Sequence, residues 1–166
     1  MPVLICFDDS PSAVHALDVA ARTLGDIPAV LLHVWNPPDR VMPDAFATDL
    51  SDHAMSFERL EGFSRERSAE ILEHGELIAS RHGLDVTRRG ERCRSSVWQT
   101  VLEIADELDA ELIVCGTQGA TAVTAGPLGS VSNALVHHAG RPVLIVPDPQ
   151  QRRSGHPASG RPAAVS

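Results

Sequence analysis

The chain has 166 residues, 43% of them hydrophobic and 22% charged, which suits one globular domain and leaves too little for two of ordinary size. All 14 basic residues are arginine and tyrosine is absent, so phosphate loops of the Walker type, Schiff-base enzymes, kinases and tyrosine acid/base chemistry are excluded by composition. A net charge of -8 disfavours binding along a nucleic-acid backbone, and no apolar run approaches the roughly 20 residues that cross a bilayer.

Val3 to Phe7 is a continuous apolar run that stops at Asp8-Asp9, the pattern of a strand buried on both faces of a parallel sheet. Ser10-Pro11 then predicts a helix start, with Ala13, Val14, Leu17, Ala20, Ala21 and Leu24 on one stripe and Gly25 at its end. Val30 to Trp35 is a second buried strand, closed by Asn36-Pro37-Pro38 because proline continues neither ladder nor helix. Asn36 to about Ser56 reads as a long irregular loop or lid. Phe57 to His82 predicts a long helix with Leu60, Phe63, Ile71 and Ile78 inward. Asp85 to Glu91 is a polar strand suited to a sheet edge.

Ser96 and Gln99 have capping-box spacing before a third helix. Leu112 to Cys115 is another buried strand, Gly116 to Gly129 a glycine-containing loop, Ser130 to Ala139 a helix and Pro142 to Val146 a last apolar strand. This alternation predicts an open α/β fold, a parallel sheet with helices on both faces and ligands near the carboxyl ends of the strands. Residues 148–166, rich in Pro, Gly, Ser, Gln and Arg, read as a disordered tail beyond a single domain at 1–147. Cys6, Cys93 and Cys115 are odd in number and lack a CxxC pair, which predicts neither a disulfide framework nor a zinc site and fits a reducing compartment. The first residues, Met-Pro-Val-Leu-Ile-Cys-Phe-Asp-Asp, lack the basic leader of a signal peptide.

Chemistry concentrates at the loop Gly116-Thr-Gln-Gly119 through Gly129-Ser130-Val131-Ser132. Glycines allow close backbone approach, and a helix starting at Ser130 turns free amides outward, so a polyphosphate could sit there with hydroxyl donors from Ser130 and Ser132 and without any lysine. The plainer reading has the glycines turning the chain and Ser130 capping its own helix. Asp8 falls at the same end of the sheet, where it could hold ribose hydroxyls or a metal, or act only on its own helix N-terminus. Trp35 and Trp98 could stack on a base or simply pack. His33 reads as core, His137 and His138 as cations at a helix C-terminus, and Cys6 and Cys115 as inert thiols on neighbouring strands.

In this order and spacing, Val3-Leu-Ile-Cys-Phe-Asp8-Asp9-Ser10, Leu31-Leu-His33-Val34, Gly116-x2-Gly119-x9-Gly129-Ser130 and Arg141-Pro142-Val-Leu-Ile-Val-Pro147 resemble the universal stress protein family, over Pro2 to Pro147. The resemblance implies a Rossmann-like sheet of five parallel strands in the order 3-2-1-4-5, with ATP between the first and fourth strands in the members that bind it. It places Asp8 and Val34 along the adenosine, Cys115 and Gly116 beneath it, Cys6 and Phe7 nearby, and Gly119, Gly129, Ser130, Val131 and Ser132 on the phosphate side.

It further implies a cytoplasmic, nucleotide-responsive regulatory or protective protein more than an efficient catalyst, with its last strand at a sheet edge; Val143 to Val146 is wholly apolar, and such an edge needs cover, either by a second copy, in agreement with the family's homodimers, or by the tail. Two features depart from the usual pattern: no basic residue lies between Gly119 and Gly129, and Asp9 stands where glycine is frequent. Neutralising a triphosphate would then fall to Mg2+, held by the phosphates, and to main-chain amides. The rival readings are a non-nucleotide interaction module on the same fold and a weak ATPase.

Overall fold

The most apolar segments form the centre of one sheet, as strands covered on both faces must. The computed structural model describes residues 1–41, 50–120 and 128–148, and for 41 and 50–56 the backbone alone. In chain order these are β1 (Val3–Cys6), α1 (Pro11–Leu24), β2 (Ala29–Trp35), α2 (Pro38–Val41), α3 (Leu50–Arg81), β3 (Val86–Arg92), α4 (Val97–Glu107), β4 (Leu112–Gly116), α5 (Ser130–His138) and β5 (Val143–Val146). All five strands are parallel, as the alternation of elements predicts, and stand in the order β3-β2-β1-β4-β5 that the family resemblance implies. From β1 the chain moves outward through β2 and β3, then crosses to β4 on the other side, so the order reverses between β1 and β4.

Strand alternation sorts the core into two layers. Val3, Ile5, Phe7 and Leu31 meet α1 and α3, while Leu4, Leu32, Ile113 and Cys115 meet α4 and α5. The Ser10 hydroxyl accepts from the Ala13 amide at 3.2 Å and caps α1, and the Ser96 hydroxyl accepts from the Gln99 amide at 3.3 Å and caps α4. Both caps follow the sequence signals. The polar strand β3 lies at the edge, as anticipated.

Two expectations need correction. The stretch after Asn36 is not wholly irregular: α2 forms at Pro38–Val41, and α3 begins at Leu50, seven residues before the sequence pattern starts. Arg40 explains the short helix, since its guanidinium donates to the carbonyls of Arg94 (2.7 Å) and Ser95 and to Cys93 Sγ (3.2 Å), tying α2 to the turn after β3. The inward stripe of α3 is also misplaced. Ser68, Ile71, Leu72, Ile78 and Ala79 are buried, but Leu60 and Phe63 are 38% and 67% exposed, because the first half of the helix runs past the sheet it would cover. The expectations for the middle of the glycine loop (121–127), for 42–49 and for the tail from 149 lie outside the described residues.

Candidate functional site

At the carboxyl ends of the central strands, where the strand order reverses, opens a cavity of about 600 Å³. This is the crevice where doubly wound sheets take ligands. Each of Cys6, Phe7, Asp8, Val34, Cys115, Gly116, Gly119, Gly129, Ser130, Val131 and Ser132 lines it.

Its polar end is a loop stitched to the start of α1. One Asp8 carboxylate oxygen accepts from the Ser10 amide at 3.1 Å and the other from the Ala120 amide at 2.7 Å. The Ser12 hydroxyl lies 3.3 Å from Thr117 Oγ1 and accepts from the Gln118 amide at 3.4 Å, and the Ser10 hydroxyl donates to the Gln118 carbonyl at 3.4 Å. Asp8 therefore orders the loop as well as its own helix, and about half of its carboxylate lone pairs remain for a ligand hydroxyl. The next residue, Asp9, sits at φ 63, a left-handed conformation that glycine adopts freely, and its carboxylate is 2.6 Å from His74 Nδ1 on α3.

The first amides of α5 point into the same space. Gly129 occupies the N-cap position without a side-chain cap, so Ser130 does not cap its own helix. Uncapped N-terminal amides with the positive end of the helix dipole are an anion-binding arrangement. The Ser132 hydroxyl, in contrast, is spent internally: it donates to the carbonyls of Thr117 (2.8 Å) and Gly129 (3.1 Å) and is buried. Of the two hydroxyl donors anticipated from sequence, Ser130 alone is exposed.

The apolar end is built from both layers. Cys6 and Cys115 lie on adjacent parallel strands and, with Leu32, Val34, Val97 and Val101, form a floor suited to a flat heterocycle. Burial, then the neighbouring Cys115 and Asp8, raise the Cys6 thiol well above its usual range, and burial pushes Cys115 up to about 12. Both are neutral at physiological pH. Trp35 lines the cavity, whereas Trp98 does not and stacks instead on His138 at 5.0 Å.

His33 is less inert than its mid-strand position suggested. It lines the cavity, its Nδ1 lies 2.8 Å from the Ser68 hydroxyl of α3, and burial lowers its pKa. The sequence reading also missed the wall formed by Phe63, Ser64 and Arg67 of α3. The signal was present as a 63, 64, 67 spacing on one helical face, but its orientation depends on where α3 extends past the sheet.

The fold and the cavity together define a doubly wound α/β protein with a ligand crevice at its topological switch point. Residues 1–147 match the model of the universal stress protein family. The chain belongs to that family. It is 33% identical over 155 residues to a universal stress protein of Mycolicibacterium smegmatis, covering 88% of this chain and 45% of that protein, and it spans about half the length of the curated relatives it matches. Among solved structures it is similar to a hypothetical protein whose structure was determined to assign its biochemical function (22% identity, TM-score 0.72, 88% of this chain and 94% of that one). It also resembles a universal stress protein in complex with cAMP (22%, TM-score 0.61, 88% and 96%) and an Arabidopsis thaliana family member with AMP bound (14%, TM-score 0.60, 96% and 97%).

Proposed function

We propose that the chain binds an adenine nucleotide, ATP with Mg2+ in the first instance, and acts as a nucleotide-responsive regulatory protein in a stress response. The observation that carries this reading is the uncapped N-terminus of α5, which opens onto the same cavity as Asp8 and an apolar floor. One cavity thus offers main-chain amides for phosphates, a carboxylate for ribose hydroxyls and a slot for a base. The nucleotides held by the two similar structures named above support it.

The donor set suits Mg2+ only as a phosphate-borne ion. Mg2+ wants oxygen ligands and keeps several waters, and the cavity offers the exposed Ser130 hydroxyl and an Asp8 already engaged by two amides. When bound, the ion would neutralise phosphate charge that this loop, lacking basic residues, does not. Turnover is not part of the proposal, because an Asp8 held by two amides is a poor base for activating water. Three free thiols suit a reducing compartment such as the cytoplasm.

A second reading, an interaction module without nucleotide, is favoured by the exposed Phe63 at the cavity mouth. Acid extraction of the purified protein, chromatography of the supernatant for adenine nucleotides, and titration of the stripped protein with ATP with and without Mg2+ separate the two. Near-stoichiometric nucleotide, or Mg2+-dependent binding, is the expected result. No nucleotide and no binding under either condition would overturn the proposal in favour of the interaction module.

A further inference from the structure

We infer that Arg67 of α3 is the cation that recognises the ligand's phosphate, and that Glu70 holds it in reserve while the cavity is empty. This rests on the nucleotide reading and adds to it the source of positive charge that the glycine loop does not provide.

The cavity has a charge problem. Its wall includes the Asp8 carboxylate, the whole chain carries a net charge of -8, and Thr117 to Leu128 contains no basic residue. The amides of α5 and the loop contribute partial charges alone. Among the described residues, Arg67 brings the one arginine side chain to the cavity wall, next to Ser64 one turn earlier on α3. Its charge reaches inside: His33, which also lines the cavity, is pushed toward its neutral form by Arg67 and drawn the other way by Asp8, both smaller than the effect of burial. Arg67 and Asp8 therefore act on one interior side chain as the cation and anion of one compartment.

The present partner of Arg67 is easily exchanged. Arg67 Nη1 lies 3.0 Å from Glu70 Oε2, one helical turn on, with the two side chains 58% and 65% exposed. An exposed pair of this kind contributes little, because water screens it and two long side chains must be held in one geometry. A phosphate offers the guanidinium two parallel charge-assisted hydrogen bonds in place of that single contact. Releasing Glu70 and swinging onto a phosphate is thus favourable only when the ligand carries charge, so Arg67 discriminates nucleotide from nucleoside and leaves base recognition to the apolar floor.

The test is titration of the stripped full-length protein with adenosine, AMP and ATP, comparing wild type with Arg67→Ala, Arg67→Lys and Glu70→Gln. Arg67→Ala should weaken AMP and ATP by about tenfold and leave adenosine unchanged; Arg67→Lys should recover part of the loss, and Glu70→Gln should tighten AMP severalfold by removing the competing carboxylate. Both positions are exposed, and unchanged circular dichroism reports an intact fold. An unchanged AMP-to-adenosine ratio in Arg67→Ala, or an equal loss for both ligands, would overturn the role of Arg67 alone. A wild-type protein that binds none of the three would overturn the nucleotide reading itself.

Discussion

The three signature glycines are glycine for different reasons. A Cβ on Gly116 would lie 2.4 Å from the Ser12 hydroxyl oxygen and 2.7 Å from the Ser12 backbone carbon and oxygen, so β4 touches the first turn of α1 with no room for a methyl group. A Cβ on Gly119 would meet the Asp8 carboxylate at 2.8 Å, a side chain that can move, and one on Gly129 would meet the Thr117 carbonyl at 3.2 Å. Gly116→Ala should therefore destabilise the fold by about 1–3 kcal/mol, the range for overpacking a filled site, read as a lower urea midpoint. Gly119→Ala should leave the unfolding free energy within about 0.5 kcal/mol of wild type and weaken ATP by displacing Asp8 from the Ala120 amide. Equal effects of the two variants on stability would show that Gly119 serves packing and not the site.

Among the elements, β5 carries the consequence for assembly. It pairs with β4 from Val143 opposite Ile113 to Val146 opposite Gly116, and no described strand pairs with its outer edge. Val143, Leu144 and Ile145 are only partly buried, and an apolar edge with unpaired amides is a template for another chain. The strand is locked in place from behind, because Arg141 just before it donates to the carbonyls of Ala105 in the last turn of α4 (2.8 Å) and of Ala110 in the turn that follows (2.5 Å), and pairs with Asp106. A rigid apolar edge of this kind fits a second copy related by a two-fold axis, the commonest assembly. Sedimentation equilibrium at tens of micromolar should then give twice the chain mass for wild type and the single mass for Ile145→Lys. A wild-type monomer would remove the proposal.

In the whole molecule, what the sequence made legible was what short-range patterning controls. Continuous apolar runs at β1, β2 and β4 marked the buried strands, Ser10 and Ser96 marked two helix starts, and the glycine spacing marked the loop that faces the cavity. What stayed hidden depends on the placement of elements in space. Leu60 and Phe63 share the helical phase of a buried stripe but are exposed, and Phe63 and Arg67 line the cavity from α3. The Ala120 amide on Asp8 likewise depends on a loop folding back across more than 100 residues of chain to the end of β1, and the internal bonds of Ser132 depend on how that loop itself is folded.

Composition gives the folded state one more global property. With no lysine and no tyrosine in the chain, the alkaline range between about pH 8.5 and 11 belongs almost entirely to the cysteines. Cys6 and Cys115 have folded pKa values raised by burial, Cys115 to about 12, whereas in the unfolded chain both ionise near pH 8.5. The folded state then holds protons that the unfolded state releases, so stability is complete below about pH 8.5 and declines as pH rises toward the folded values, by on the order of 1 kcal/mol per pH unit for each thiol. Urea unfolding at pH 8, 9 and 10 should show this decline in wild type. The Cys6→Ala, Cys115→Ala double variant should start from a lower stability, for the packing it loses, yet follow a much flatter pH profile. A double variant as steep as wild type would mean that the two buried thiols are not what limits the fold in alkali.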